Sequence, residues 1–428
     1  VHAAYRILRQ RGFVIAEGRR GTRVAPRPPL RIPRRRPAPH DPAPQDRTPR
    51  DRAPQDHAPQ DHAPQDGHRA PTGPVPPRGD LSLGFPDPAL LPPIRTALAR
   101  LDLDRKLEIA TLDANDPDLL ELAVASFAAD DVATGAVAVV AGALDGIERV
   151  LNAHLRPGDR VLLEDPAYPP TRDLLTALGL VAVPAPVDDH GLMPEQVLAA
   201  LERGVDAIVA VPRAQNPFGS ALDPQRAADL RAVLAERSDA LIIEDDHASV
   251  VAGAPYTSLI PTGWPRWAVV RSVSKVLHPD LRLAFVAGDE TTVARAEGRQ
   301  WLGPRWVSHI LQATVANLLT EPGFPAAAER ARDAYASRRN ALVAALRERG
   351  IRAHGRSGLN VWVPVREEAP VLRSMFEAGW LVLAGERCRL ATPPAIRVTT
   401  ATLHEDDAPE VAETIAAASD RDRPRRAY

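Results

Sequence analysis

Strand-like and helix-like segments alternate along most of this chain, and that alternation restricts the possible folds more than any other feature of the sequence. Between residues 137 and 287, short runs of Val, Ile, Leu and Ala are separated by segments whose apolar residues recur at helical spacing. The predicted strands are 137–140, 160–165, 180–184, 206–211, 240–245, 267–272 and 282–287. The predicted helices between them are 145–155, 170–178, 194–203 and 222–236. This order predicts an α/β domain with a mostly parallel sheet, followed by a long helix at 325–349 and a smaller α+β unit.

A proline-rich segment, residues 26–78, precedes this domain. Units such as APQDH recur every five residues, with proline in phase at Pro44, Pro49, Pro54, Pro59 and Pro64. A segment of this composition cannot bury a core, so it is predicted to be an extended, disordered linker. Its histidines could bind a metal, but solvated side chains are the more typical outcome in such a linker, and no metal site is predicted.

Residues 1–25 form a third segment with a basic surface. Val1, Ala4, Tyr5 and Leu8 fall at helical spacing, Gly12 is a natural helix end, and two short apolar runs flank the turn AEGRRG. The segment therefore predicts a helix that leads into a small hairpin. Without a partner helix upstream, the chain is expected to begin inside a domain.

The composition excludes several classes of protein. The net charge of −2 gives no global sign of nucleic-acid binding, although a basic patch can lie in one segment. A single cysteine, Cys388, excludes an internal disulfide framework and suits a reducing compartment. No apolar run is long enough to span a membrane, and the start lacks a signal-peptide pattern. The sequence thus predicts a soluble cytoplasmic protein.

Lysine is almost absent, which draws attention to the two that remain. Only Lys106 and Lys275 occur among 53 basic residues. An amine, unlike a guanidinium, can lose its proton and attack a carbonyl to form a Schiff base. Pyridoxal phosphate uses this chemistry, and it also needs phosphate ligands, a carboxylate at its ring nitrogen and an aromatic neighbour. A lysine after a strand is nevertheless most often a surface residue.

Each of these needs has a candidate at the end of a predicted strand. The phosphate candidates are Ser272, Ser274, Arg282 and the N–H groups of Ala143 and Leu144. The other candidates are Asp245 for the ring nitrogen, Tyr168 for the ring face, Asn216 for the ring oxygen and Arg397 for a ligand carboxylate. Taken singly, these residues could equally be turn formers, core packing or a structural ion pair. Their joint occurrence at strand ends favours a cofactor site.

The order of these motifs resembles that of fold-type I pyridoxal-phosphate aminotransferases. The segments are AGALDGIE (141–148), EDPAYPP (164–170), PRAQNPFG (212–219), EDDH (244–247) and RSVSKVLHPDLRLA (271–284). The segment VHAAYRILRQRGFVIAEGRRGTRVA (1–25) resembles the end of a GntR-family winged helix-turn-helix. Together they resemble MocR-type transcription regulators, in particular the branch linked to vitamin B6 control.

The resemblance implies three regions and a set of roles. Residues 1–25 would be the end of a winged helix, 26–78 the linker and 79–428 the aminotransferase-like domain. Lys275 would be the Schiff-base lysine, Asp245 the partner of the pyridine nitrogen, and Asn216 and Tyr168 ring contacts. The phosphate and carboxylate ligands would be those already named. A homodimer is also implied, because sites of this fold form between subunits.

Four departures from the family pattern weaken the case for efficient transamination more than the case for cofactor binding. His247 stands where a tyrosine is usual, two residues after the pyridine aspartate, and it remains a candidate cofactor contact. LDANDPDLL (112–120) replaces a Tyr-Gly-Asp-Pro-x-Gly run, Arg271 replaces a glycine, and Phe218 replaces a small threonine.

Three functions remain open at this point. The chain could be a transcription regulator that senses pyridoxal phosphate, a true aminotransferase, or a cofactor-binding remnant with neither activity. The basic segment and the linker favour the regulator, because a free-standing aminotransferase has no need of residues 1–78. DNA and a small amine or amino acid are the expected partners.

Overall fold

The computed structural model describes residues 14–16, 22–24, 78–102, 104, 113–237 and 239–421 of the 428-residue chain. The chain divides into two units, Val1–Val75 and Pro76–Tyr428. In the first unit, strands β1 (Val14–Ala16) and β2 (Thr22–Val24) form an antiparallel pair. The predicted hairpin is therefore present. The predicted helix before it, nearly all of the predicted linker and Lys106 lie outside the described residues.

The second unit contains the predicted α/β elements. Its strands are, in chain order, β3 (Gly79–Asp80), β4 (Ala136–Val140), β5 (Arg160–Asp165), β6 (Val181–Asp188), β7 (Gly191–Leu192), β8 (Ala207–Ala210), β9 (Leu241–Asp246), β10 (Trp267–Ser272), β11 (Ala284–Gly288), β12 (Asn360–Pro364), β13 (Trp380–Leu381), β14 (Leu383–Ala384) and β15 (Ala395–Thr399). Its helices are α1 (Ile94–Ala99), α2 (Pro117–Ala128), α3 (Ala143–His154), α4 (Pro169–Ala177), α5 (Pro194–Glu202), α6 (Pro224–Arg237), α7 (Glu290–Trp301), α8 (His309–Leu319), α9 (Phe324–Glu348), α10 (Glu368–Glu377) and α11 (Ala408–Arg421).

The large sheet has eight strands in the order β4-β11-β10-β9-β8-β5-β6-β7. The pairs from β10 across to β6 are parallel, whereas β11 runs antiparallel to both of its neighbours and β7 antiparallel to β6. Helices cover both faces. Leu241 and Ile243 pack on the face of α3, and Ile242 packs on the opposite face with residues of α6. Burial on both faces explains why the central strands read as continuous apolar runs.

The smaller unit draws its strands from both ends of the domain. Strands β12, β15 and β14 form a three-stranded antiparallel sheet, and β13 pairs in parallel with β3. Apolar residues of α9, α10 and α11 pack on these strands together with Leu81. The start of the domain is thereby fixed to a strand about 300 residues later in the sequence. No helix in the described part of the chain combines the length and apolar character needed to cross a membrane.

Candidate functional site

The carboxyl ends of β9 and β10 bring the central candidates together. These strands are parallel neighbours, and Asp245 lies opposite Val270. Lys275 follows three residues after the end of β10. Because side chains alternate along a strand, Asp245 faces the α3 side of the sheet with Ile243, and Asp246 faces the other side. The site therefore forms at the edge where open α/β sheets bind ligands.

Lys275 is partly buried, so it is not the exposed surface lysine that is usual after a strand. Its Nζ donates a hydrogen bond to the backbone carbonyl of Gly84, and it lies 5.8 Å from the centre of the Phe85 ring. Burial lowers the pKa of the Lys275 amine to about 8, and the charges of Arg397 and Arg282 act in the same direction against the opposing effect of Asp245. Near pH 8 a substantial fraction of this amine is neutral, as a nucleophile must be.

Asp245 is buried, and its Oδ1 makes no hydrogen bond within the described part of the chain. Burial raises the pKa of this carboxyl to about 7, the neighbouring Asp246 raises it further, and Lys275 lowers it. A buried carboxylate without a donor is costly unless a partner completes it. A protonated ring nitrogen supplies the missing donor, so this carboxylate fits the pyridoxal cofactor.

An anion-binding corner lies at the start of α3. Gly142, the residue before the helix, has a φ of 100°, and no side-chain cap is found among the described residues for the N–H groups of the first turn, which include those of Ala143 and Leu144. A Cβ atom on Gly142 would lie 2.9 Å from Nη2 of Arg282, so the guanidinium covers this helix end. The helix dipole and the arginine both favour a phosphate here.

The two serines flanking Lys275 are only partly available to a phosphate. Ser272 is buried, and its Oγ accepts a hydrogen bond of 3.2 Å from the backbone N–H of Ser274. Its hydroxyl hydrogen is still free to donate to another oxygen. Ser274 is partly exposed.

Tyr168 and Arg397 are the next two candidates of the site. Tyr168 precedes α4 and is 36% exposed. Burial raises the pKa of its hydroxyl and the charge of Asp245 raises it further, whereas the charges of Arg397 and Arg282 lower it. Arg397 is buried on β15, and its Nη1 donates to Oδ1 of Asn216 at 3.1 Å while Nη2 donates to the carbonyl of Ser82. Arg397 forms no ion pair within the described residues, contrary to the structural ion-pair alternative.

His247 reaches the edge of the site in a neutral form. Burial lowers the pKa of its imidazole to about 4, and the charge of Lys275 lowers it further. The ring is 2.9 Å from the carbonyl oxygen of Ala214 through Nε2. Because a carbonyl can only accept, Nε2 carries the proton and Nδ1 is left as an acceptor. A tyrosine at this position would offer a hydroxyl donor that His247 in this state lacks.

A buried charge network that was not predicted from the sequence lies on the far side of the sheet. Asp246 accepts hydrogen bonds from Arg213 at 2.8 and 2.9 Å and from Arg271 at 2.7 Å. Asp130 pairs with the same two arginines at 3.1 and 2.6 Å. Arg271 also stacks on Phe127, 4.5 Å from the ring centre. The available signal was Arg271 itself, a charged residue inside a strand that is otherwise apolar.

Two other departures from the family pattern have structural roles. The side chain of Asn115 in the 112–120 run accepts from the N–H of Val139 at 3.0 Å and donates to Glu297 at 2.8 Å, which fixes this run beside β4. Phe218 stacks on His354 with a ring separation of 4.3 Å.

The chain is similar in sequence to an aminotransferase family and to transcription regulators. Residues 80–415 match the family described as aminotransferase class I and II. The chain is 37% identical over 350 residues to the vitamin B6 salvage pathway transcriptional repressor PtsJ of Salmonella typhimurium, which covers 81% of each protein. It is 31% identical over 208 residues to the pyridoxine biosynthesis transcriptional regulator PdxR of Corynebacterium glutamicum, covering 48% of this chain and 44% of that protein.

Solved structures share the fold. Kynurenine aminotransferase of Pyrococcus horikoshii superposes with a TM-score of 0.73 at 20% identity, over 81% of this chain and 91% of that one. The α-aminoadipate aminotransferase LysN of Thermus thermophilus gives a TM-score of 0.70 at 23% identity, over 80% and 92%. The predicted fold-type I architecture is therefore confirmed.

Proposed function

The chain belongs to the aminotransferase class I and II family and shares a family with the repressor PtsJ, and on this basis we propose that it is a transcription regulator. Its aminotransferase-fold domain binds pyridoxal 5'-phosphate, and the regulated process lies in vitamin B6 or amino-acid metabolism. The observation that carries the proposal is the buried Asp245 carboxylate, whose Oδ1 has no donor among the described residues and whose charge acts on the Lys275 amine, a group of lowered pKa.

We assign the cofactor contacts as follows. Lys275 is the covalent attachment point, and Asp245 accepts from the ring nitrogen. The N–H groups of Ala143 and Leu144, with Ser272, Ser274 and Arg282, hold the phosphate. Tyr168 and Asn216 contact the ring, and Arg397 binds the carboxylate of an amine ligand. When bound, the cofactor supplies an electron sink, and the chain's own groups bind and orient it.

His247 distinguishes this site from that of an efficient enzyme. A neutral imidazole whose N–H is committed to Ala214 cannot donate to the ring oxygen as a tyrosine hydroxyl does. The arrangement supports retention of the cofactor and offers less control of the proton movements that transamination requires.

DNA is the proposed macromolecular partner. Residues 1–25 carry Arg6, Arg9, Arg11, Arg19, Arg20 and Arg23, and the hairpin β1–β2 lies among them. Arginines of this kind bind phosphates in a salt-sensitive manner. We place the protein in the cytoplasm because that is where a regulator of this kind would meet DNA.

We also propose a homodimer. Trp301, Leu302 and Ile310 are exposed apolar residues at the end of α7 and the start of α8. An exposed apolar group of this kind is typical of a surface that a partner covers.

An aminotransferase is the second candidate, and one observation favours it. The buried guanidinium of Arg397, held by Asn216 and without an acidic partner among the described residues, is suited to the carboxylate of an amino acid. A regulator that senses an amino acid would use the same group, so the arginine alone does not separate the two functions.

The proposal is tested by DNA binding with and without cofactor. The 428-residue chain is titrated against labelled duplexes from its own upstream region and from random sequence, at several salt concentrations, with and without pyridoxal phosphate. We expect salt-sensitive binding that changes on addition of the cofactor in the natural sequence but not in Lys275→Ala. DNA binding that is the same with and without the cofactor, together with rapid transamination, would favour the aminotransferase function.

A further inference from the structure

Near the start of the second unit, the chain crosses the site between two anchored residues, Leu81 and Asp87. Before the crossing, Leu81 is held in the small sheet, since its N–H donates to the carbonyl of Leu381 at 2.8 Å and its carbonyl accepts from Thr399 at 2.8 Å. After the crossing, the N–H of Asp87 donates to the hydroxyl of Tyr335 on α9 at 3.1 Å. Residues 82–85, here called the strap, lie between these anchors.

The strap carbonyls are bound by two cationic side chains of the site. The carbonyl of Ser82 accepts from Nη2 of Arg397, and that of Gly84 accepts from Nζ of Lys275. A Cβ atom on Gly84 would lie 3.9 Å from Nη1 of Arg397, so the backbone runs at van der Waals distance above the guanidinium. These are the groups assigned to the ligand carboxylate and to the cofactor.

The other contacts of the strap within the described part of the chain are few: the N–H and the hydroxyl of Ser82 donate to Oδ1 of Asp80 at 2.9 and 2.5 Å, and the Phe85 ring faces Lys275. Leu83 and Phe85 are 40% and 49% exposed, so about half of each apolar side chain stays in contact with solvent. Segments with few buried contacts open at low cost in free energy. The hydrogen bonds to Lys275 and Arg397 are therefore a large part of what holds residues 82–85 across the site.

We propose that the strap competes with pyridoxal phosphate and with a ligand carboxylate for Lys275 and Arg397, and that its displacement reports occupancy at the start of the domain. On condensing with the cofactor aldehyde, the neutral Lys275 amine would lose both of its hydrogens, which would leave with the aldehyde oxygen as water. The carbonyl of Gly84 then loses its donor. A carboxylate on Arg397 likewise displaces the carbonyl of Ser82. The displaced segment is anchored through Leu81 just beyond the predicted linker, so this inference rests on the proposed regulatory function.

A single labelled cysteine tests the movement directly. Cys388 is buried, and burial raises the pKa of its thiol to about 11, so it does not compete for the label. Leu83→Cys receives an environment-sensitive maleimide dye in the full chain. Phe376→Cys on α10, at a position that is 60% exposed, is the matched control. Pyridoxal phosphate is titrated into both proteins while its own absorbance reports binding, and inorganic phosphate serves as a second control.

We expect the dye at position 83 to change its emission in parallel with cofactor binding, the dye at position 376 to stay constant, and both to stay constant in the Lys275→Ala background. If the cofactor binds and the emission of the dye at position 83 does not change, the proposed displacement of the strap is wrong and the proposed function still stands. Failure to bind the cofactor at all would overturn the proposed function as well.

A second variant acts on the strap without touching the site side chains. Gly84→Ala narrows the backbone freedom of the strap, and the new methyl group makes only ordinary contacts, at 3.9 Å or more. If the strap competes with the cofactor, stiffening it in place weakens cofactor affinity by about two- to fivefold. Unchanged or tighter binding in Gly84→Ala would contradict the competition.

Discussion

Lys275 has an amine whose reactivity should depend on pH near 8. Burial lowers its pKa to about 8, with Arg397 and Arg282 acting in the same direction. The neutral amine is the nucleophile, so the rate of covalent cofactor attachment should rise with pH and reach half of its maximum near pH 8. Stopped-flow absorbance measures this rate, and borohydride reduction with peptide mapping locates the label. Lys106→Arg is the control and should behave like the natural protein. A midpoint near the ordinary lysine value of about 10.4 would contradict the buried environment.

The buried charge of Asp245 should lower the stability of the cofactor-free protein and at the same time favour binding of the cofactor. A carboxyl whose folded pKa is raised destabilises the fold progressively as pH rises from its ordinary 3.8 to about 7, and the cost is constant above that. Asp245→Asn removes the buried charge, so the cofactor-free protein should be more stable by on the order of 1–3 kcal/mol at pH 8. The gain should shrink at pH 5. Cofactor affinity should fall, because an amide pairs poorly with a protonated ring nitrogen. Urea unfolding at both pH values and absorbance titration measure the two effects, and tighter cofactor binding by Asp245→Asn would exclude the assigned role.

The sequence predicted residues of the site whose chemistry depends on local position. Asp245 lies at the end of one recognisable strand and Lys275 follows shortly after the end of the next, and parallel strands present their carboxyl ends at one edge. The partners of Asp246 could not be predicted in this way. Its two arginines come from different segments, and Asp130 lies 116 positions earlier. Such pairing depends on which side chains the packed helices and strands bring together.

At the scale of elements, the ends of β9 and β10 are joined by the buried charge network. Burial alone would raise the pKa of Asp246, but the hydrogen bonds and charge of Arg213, with those of Arg271, hold it below its ordinary range. Arg271→Ala leaves Asp246 and Asp130 with one arginine and opens a space beside Phe127. Removing one partner of a buried pair costs about 3–5 kcal/mol, so thermal stability should fall markedly. Arg332→Ala, which removes two exposed ion pairs on α9, is the matched control and should leave the unfolding curve unchanged. An equal loss of thermal stability in the two variants would show that the buried network stabilises the fold no more than an exposed ion pair does.

The strands of the large sheet could be predicted from the sequence, whereas the position of the strap could not. Strands of five or six buried residues, such as β5 and β9, carry their own signal in apolar runs. Strands β3 and β13 have two residues each, and they pair across about 300 positions. A pattern so short contains no period. The position of residues 82–85 follows from that pairing, so it could be found only in the folded chain.

At the scale of the whole molecule, cofactor binding and catalysis should separate. The residues assigned to the cofactor are present at or near the strand ends, whereas His247 offers no hydroxyl and the Ser82 carbonyl of the strap competes with an amino-acid carboxylate for Arg397. We therefore expect the loaded protein to convert common amino acids and 2-oxo acids far more slowly than the typical 1–10³ s⁻¹, by roughly two orders of magnitude or more. A panel of amino acids with 2-oxoglutarate, followed by product chromatography, measures this turnover.

His247→Tyr distinguishes the cause of that slowness. The tyrosine supplies a donor at the position where the family usually has one, so turnover should rise while cofactor affinity changes little. The carbonyl of Ala214 loses a hydrogen bond, so a modest loss of stability is expected, about 1–3 kcal/mol if that carbonyl stays unpaired. Gly84→Ala should move turnover in the opposite direction by stiffening the strap. If the natural protein turns over within the typical range, neither His247 nor the strap restrains the chemistry, and the aminotransferase is the better account of this chain.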